Sequence, residues 1–392
     1  MTGRNNWTHD ELKAAAAGDF SKFKGVNRRD VLKGGLAVAA GAMMVPFMPG
    51  LAQAAVGGDI NTLTWEGYDG IEPTKAWAAK NGVAITNGSM ATQDDVQTKL
   101  VGGSPVRLDV TSYNQAYNRF YGDELKIINP LDMSKIPNYN KDDIFDAFYQ
   151  KERWYWDAKQ FGIPFCWGLV APIFNPDKVQ AINSYTDFLK PEMKGKFVIS
   201  DDNTGTWPVF AALAGVTTYP NVTKDELGKI FENAKLYRDN AKSFAASNGD
   251  IVSLMMSGEI WGCLTCGTDS VASVKRQGGK ASYSIPSEGA FLWCDALCVP
   301  HTTGNSETAH AFINEFMSAP AQAWLAQHTV CGSANNKSVA LMDADTKALF
   351  DYANLDEVMK KNSLKGIPPR ESKEYAAYDE WVQAYEGLKS GI

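Results

Sequence analysis

From Asp59 onwards, short apolar runs rich in β-branched residues alternate with amphipathic stretches of helical period. Asp59–Trp65 (DINTLTW) reads as a strand, and Pro73–Asn81 as a helix that opens on a proline and stops at Asn81-Gly82. Val83-Ala84-Ile85-Thr86 predicts a second strand, Asp94–Leu100 a helix ending at Gly102-Gly103, and Leu108–Thr111 a third strand. Further on, Ser247 and Asp250 have capping-box spacing for a helix Ile251–Met256, which Ser257-Gly258 closes ahead of a strand Ile260–Thr265. Regular alternation of strand and helix predicts an α/β fold. No internal repeat, low-complexity tract or Gly/Pro/Ser-rich linker divides the chain, so the pattern predicts lobes that share crossing strands.

A different kind of segment precedes the alternation. Arg28-Arg29 stand before Val31-Leu32-Lys33, an uncharged Gly/Ala-rich run begins at Gly34, and Ala52-Gln53-Ala54 places small residues for cleavage before Ala55. Residues 1–54 therefore read as a twin-arginine signal peptide, either cleaved or retained as an N-terminal anchor. Pro46 and Pro49 interrupt the run, which falls short of the roughly 20 apolar residues a bilayer span needs. No later stretch is long and apolar enough to span a membrane, so a soluble periplasmic protein is expected. Removing residues 1–54 takes seven of the 38 Lys/Arg and four of the 45 Asp/Glu and leaves a net charge of −10, which argues against a nucleic-acid partner. Residues 55–392 exceed what one hydrophobic core usually supports, and two lobes with a ligand cleft between them are expected.

Five stretches, taken in order, resemble the periplasmic solute-binding proteins of ABC importers, specifically their polyamine (spermidine/putrescine) branch. They are Leu63–Tyr68 (LTWEGY), Gly162–Gly168 (GIPFCWG), Phe188–Lys196 (FLKPEMKGK) before Ser200-Asp201-Asp202, Ile285–Asp295 (IPSEGAFLWCD), and the strand ending at Val299-Pro300. The resemblance covers nearly all of the chain after Ala55 and implies a two-lobed type II periplasmic-binding-protein fold of the α/β class, with lobes joined by crossing hinge strands. It implies one lobe of residues 56–161 plus 297–345 and a second of 162–296 plus 346–392. The partners it implies are a small cationic amine and an inner-membrane ABC permease, with a monomeric receptor, no cofactor, no metal and no catalysis.

Amine recognition calls for carboxylates that neutralise ammonium groups and for aromatic faces that hold charge and methylenes together. Trp293 and Asp295 are two apart on an extended segment and so share a face, with Cys294 behind them; either they meet ligand or they are core and strand-end residues. The resemblance favours ligand contact. It also implies ligand contacts for Trp65 and Tyr68 in the loop after the first strand, for Ser112, and for one of Asp201-Asp202, with Asp202 preferred. Asp202 otherwise reads as a cap for a helix starting near Thr206, and Glu66 is either a second anionic anchor or solvated.

The chain departs from the branch at three points. Asn203-Thr204-Gly205 offers no second carboxylate, Thr265 stands where relatives carry a stacking Trp, and Cys331 takes the place of a Tyr and is expected to line the pocket instead. Trp207 is either a replacement aromatic or a buried anchor, and Asp269 lies one position from an acidic residue of the putrescine type. A shorter or differently shaped cation than spermidine is expected.

Six cysteines in an oxidising compartment leave disulfides, buried thiols or a metal site open. Cys263 and Cys266, three apart on a strand, are expected on opposite faces, whereas Cys294 and Cys298 share one. His301, His310 and His328 lack metal-ligand spacing, and no GxSxG or GxxxxGK[ST] motif occurs. Rival readings are a binding protein of the same fold for a zwitterionic, aminophosphonate or ferric solute, with Arg370 or Gly332-Ser333 meeting an anionic group, and a metal or redox protein that uses the cysteines.

Overall fold

The computed structural model describes residues 55–90, 92–101, 105–361 and 366–391, so the signal segment and the Gly102-Gly103 stop lie outside the described residues. Strand β1 (Gly58–Trp65) is followed by helix α1 (Ile71–Asn81), strand β2 (Val83–Met90), helix α2 (Asp94–Leu100) and strand β3 (Val110–Asn114). Gly82 ends α1 in the left-handed region at φ 62°, a conformation glycine reaches without strain, and its N–H closes on Ala78 and Ala79 carbonyls. α1 starts two residues before Pro73, and β3 begins and ends later than its apolar run predicted.

Two long strands follow at the centre of the chain's topology: β4 (Ile163–Phe174), with every residue buried, and, much later, β8 (Phe291–Pro300). Between them come β5 (Phe197–Ser200), α3 (Asn203–Leu213), α4 (Lys224–Asn240), β6 (Ser243–Ala245), α5 (Asn248–Ser257), β7 (Gly262–Gly267) and α6 (Asp269–Arg276). The sheet runs β2-β1-β3-β8-β4-β7-β5-β6. Its two flanks are parallel, β1 with β2 and β3 on one side and β5 with β6 and β7 on the other. The middle is antiparallel, β8 pairing with both β3 and β4, and β4 with β7. Parallel flanks need helical crossovers and so build two separately covered half-sheets. β4 and β8 run from one to the other.

The cores divide accordingly. Tyr113, Phe148, Trp154, Phe165, Trp167 and Phe316 belong to a first cluster, and Phe188, Phe197, Trp207, Trp381 and Tyr385 to a second. β4 feeds both, with Ile163–Leu169 in the first cluster and Phe174 in the second. The last helix (Tyr378–Ser390) packs on the second cluster, whereas Phe350, Tyr352 and Leu355 pack with the first.

The Ser247 hydroxyl accepts the Asp250 N–H at 3.1 Å and opens α5, three residues before the predicted start. The face expected of the two β7 cysteines is overturned. Cys263 pairs with Ile173 and Cys266 with Ala171, three steps on β7 against two on β4, so β7 carries a one-residue bulge. The extra residue restores the face, and both thiols enter one small cluster with Ile173 and Ile251. All six cysteines are free and buried.

Candidate functional site

Both half-sheets aim the carboxyl ends of their parallel strands at one cavity of about 840 Å³, the place where open α/β sheets hold ligands. Trp65, Glu66 and Tyr68 come from the loop after β1, Asp94 from α2, and Asn114 and Gln115 from the end of β3. The other half-sheet contributes Asp201 and Asp202 after β5, Thr265 from β7 and Asp269 from the start of α6, while β8 supplies Trp293 and Asp295 from the crossing.

Asp295 is 3 % exposed and accepts one hydrogen bond from the Asn114 side-chain amide at 3.1 Å. Burial pushes its carboxyl up to about 7, against the lowering pull of Asn114, and the Asp202 charge adds to the rise. A bulge on β4 beside Asp295, where one step on β8 faces two on β4, fixes its position between Asn114 and Cys166. Trp293 lies over Gly168 of β4, where an added Cβ would come within 2.6 Å of the indole. Glycine is therefore what admits the ring. Cys294 faces away, fully buried, and its N–H donates to the Gln115 amide oxygen at 2.7 Å.

Tyr68 meets Phe165 edge-on at 5.5 Å. Burial first, then Cys166, Cys331 and Asp295, push its phenol well above the ordinary range, so the hydroxyl keeps its proton. Asp202 serves both readings: it caps α3 by accepting the Thr204 N–H at 3.1 Å and it lines the cavity. Burial raises its carboxyl despite the Thr204 hydrogen bonds. Asp201 instead pairs with Lys389 of the last helix at 2.9 Å. Asp269, pushed up to about 6 by burial, lines the wall that Thr265 leaves without an aromatic ring. The Thr265 hydroxyl is turned to the Ser200 N–H at 3.3 Å and to Thr206 at 3.0 Å.

Two expected residues are not at the cavity. Ser112 shares a strand face with Asn114 but sits two positions deeper, opposite Leu297, where it is fully buried and its hydroxyl finds no partner among the described residues. Cys331 is also fully buried and accepts the Thr329 hydroxyl at 3.3 Å. Trp207 is a buried anchor, stacked on Trp381 at 5.2 Å. His310 is structural, its Nε2 accepting the Asp132 N–H at 3.0 Å, whereas His328 stacks on Trp324 at 4.2 Å and reaches the cavity. Sequence reasoning missed Asn114 and Gln115 because the third strand was read as ending at Thr111.

The described lining thus presents six carboxylates, Glu66, Asp94, Asp201, Asp202, Asp269 and Asp295, and neither Lys nor Arg. Arg370, the candidate for an anionic ligand group, lies elsewhere, between the Phe120 and Tyr378 rings at 4.2 and 4.1 Å.

Comparison with known proteins agrees with this architecture. The chain is 24 % identical over 332 residues to the putrescine-binding periplasmic protein PotF of Escherichia coli K12, covering 79 % of this chain and 86 % of that one. It is 25 % identical over 375 residues to the spermidine/putrescine-binding periplasmic protein of the same organism, covering 90 % and 97 %. A putative spermidine/putrescine ABC transporter protein from Listeria monocytogenes superimposes with a TM-score of 0.71 at 20 % identity, over 85 % of this chain and 98 % of that one. The fold is the two-lobed type II periplasmic-binding fold with crossing hinge strands. Residues 25–45 match the twin-arginine translocation signal, so the protein is exported to the periplasm. Residues 74–354 match the bacterial extracellular solute-binding protein family, and the chain belongs to it.

Proposed function

We propose that this protein is the substrate-binding component of an ABC importer, capturing a small di- or polyamine in the cavity and delivering it to an inner-membrane permease without chemical change. The observation that carries this reading is the charge of the site: six lining carboxylates and no Lys or Arg among the described lining residues. A zwitterion or phosphonate would bring an anionic group that finds no cationic side chain there. Asp295, Asp202 and Asp269 pair with ammonium groups, and Trp293, Trp65 and Tyr68 hold the methylenes. With Thr265 in place of a ring and one wall missing, the site suits a diamine better than a triamine.

The lobes we assign are 56–161 plus 297–361 and 162–296 plus 366–391. The stretch 346–361 is moved to the first lobe because Phe350, Tyr352 and Leu355 pack there. The test is a thermal-shift panel of putrescine, cadaverine, spermidine, spermine, amino acids and aminophosphonates. Ligand at about 100 times its dissociation constant adds roughly 2.7 kcal/mol, a shift of a few degrees. A selective shift with a diamine is expected; silence from every amine beside a response to a zwitterion would overturn the substrate class.

A further inference from the structure

Two helices from different half-sheets meet at the amine cavity. α6 follows β7, and its Val271 and Val274 pack in the small cluster with Cys263 and Ile173. The helix Ala319–Thr329 belongs to the other side, where Ala321 and Leu325 enter the first cluster. Ser273 of α6 and His328 and Thr329 of the second helix line the cavity. A hydrogen bond joins the two helices, the Arg276 guanidinium donating to the His328 carbonyl at 2.6 Å. Carbonyls in the last turn of a helix lack intrahelical partners and carry the negative end of its dipole, so a guanidinium suits that place. The Asp343 carboxyl, held below the ordinary range first by the Thr346 N–H, also feels the Arg276 charge. Arg276 itself is exposed and does not line the cavity.

Both helices are anchored to β4. Gly332-Ser333, just beyond Thr329, pairs with Trp167 and Cys166, whereas β7, just before α6, pairs with β4 from Val170 to Phe174. A bend of β4 between Trp167 and Val170 would part donor and acceptor. We propose, resting on the amine reading of the cavity, that Arg276 is a positioning residue for ligand retention: its bond to His328 forms only when the half-sheets close over the amine, and it slows escape without touching the ligand. Carboxylates on both sides of an empty cavity repel one another and oppose closure; a bound dication removes that repulsion and lets the bond form. A contact made only on closure acts on the off-rate and leaves encounter alone.

The experiment is stopped-flow release of putrescine from the mature chain and from its Arg276→Ala and Arg276→Lys variants. Alanine suits the last turn of α6, and the side chain it replaces is exposed, so the ligand-free melting temperature should hold. Release from Arg276→Ala should be about fivefold faster, the worth of one surface charge at a helix end. The on-rate should stay within about twofold. Arg276→Lys should restore most of the retention, because an ammonium brings the same charge and a donor. Unchanged release from Arg276→Ala, or release from Arg276→Lys as fast as from Arg276→Ala, overturns the role of Arg276 and leaves the amine reading standing. If putrescine does not bind the native chain, the amine reading fails, and Arg276 is judged on the ligand-free chain by the distance between spin labels at Glu72→Cys and Asp250→Cys, on α1 and α5. All six native thiols are buried and stay unlabelled. A closed population that falls about fivefold in Arg276→Ala keeps the role; an equal or absent one overturns it.

Discussion

Asp295 carries an unusual burden for one carboxylate. Without ligand, burial holds its proton up to about pH 7, far above the ordinary value for Asp. Between the ordinary value and about 7 the folded state binds a proton that the unfolded chain has released, so this group's contribution to stability falls as pH rises through that window. An arriving ammonium reverses the preference and expels the proton. Amine affinity should therefore fall with acidity below about 7, by about tenfold per pH unit for each proton taken up. Titration calorimetry in two buffers of different ionisation heat would register proton release at pH 6; affinity flat from pH 5 to 8 would contradict it. Asp295→Asn should weaken the amine by about 3 kcal/mol, since an unpaired buried ammonium is left behind. Trp293→Leu should lose only about 1–2 kcal/mol; equal small losses would place the ligand elsewhere. That Trp293 and Asp295 share a face was legible from period-two alternation, and both line the cavity. Ser112 and Cys331 were not: the resemblance implied both as ligand contacts, and a matching position does not tell how deep a side chain lies; both are fully buried.

At the scale of elements, the bulge in β7 shows why local pattern reading falls short. A strict period of two sends Cys263 and Cys266 apart, and one extra residue against β4 brings them together. The same inserted residue lies ahead of Asp269, which the resemblance puts one position from an acidic residue of the putrescine type and which the structure sets in the cavity lining. Some helix boundaries were legible: α2 spans Asp94–Leu100 as read, and Gly82 closes α1 at Asn81. The start of α3 was missed by three residues because Asp202 caps it directly, and that double role can be separated. Asp202→Ser keeps a capping oxygen and removes the charge, so melting temperature should hold while amine affinity drops. Asp202→Ala should lose about 1 kcal/mol of stability as well. Equal affinity for both variants and the native chain would remove Asp202 from the ligand.

Over the whole molecule, one side chain ties the two cores. Arg370 stacks between Phe120, from the first cluster, and Tyr378, from the second, while Tyr378 donates to Asp94 beside the cavity at 3.2 Å. The tie holds the half-sheets together around the cavity without lining it. Arg370→Ala should enlarge the radius of gyration of the ligand-free protein in solution scattering and weaken amine binding about fivefold, because the binding-competent form becomes less populated. An unchanged radius with unchanged affinity would mean that the stack is ornamental. The overall architecture was legible from five ordered motifs. The Arg370 tie was not, since it joins positions 250 residues apart through a cation that no local pattern marks.

The six buried thiols bear on how the protein is made. Chains bearing a twin-arginine signal commonly fold before they cross the membrane, and here folding removes every cysteine from solvent while the surroundings are still reducing. Oxidants on the far side then meet a closed surface. The thiol state of the mature receptor is inherited from its birthplace, so the order of folding and export sets its cysteine chemistry, and the redox potential of its workplace does not.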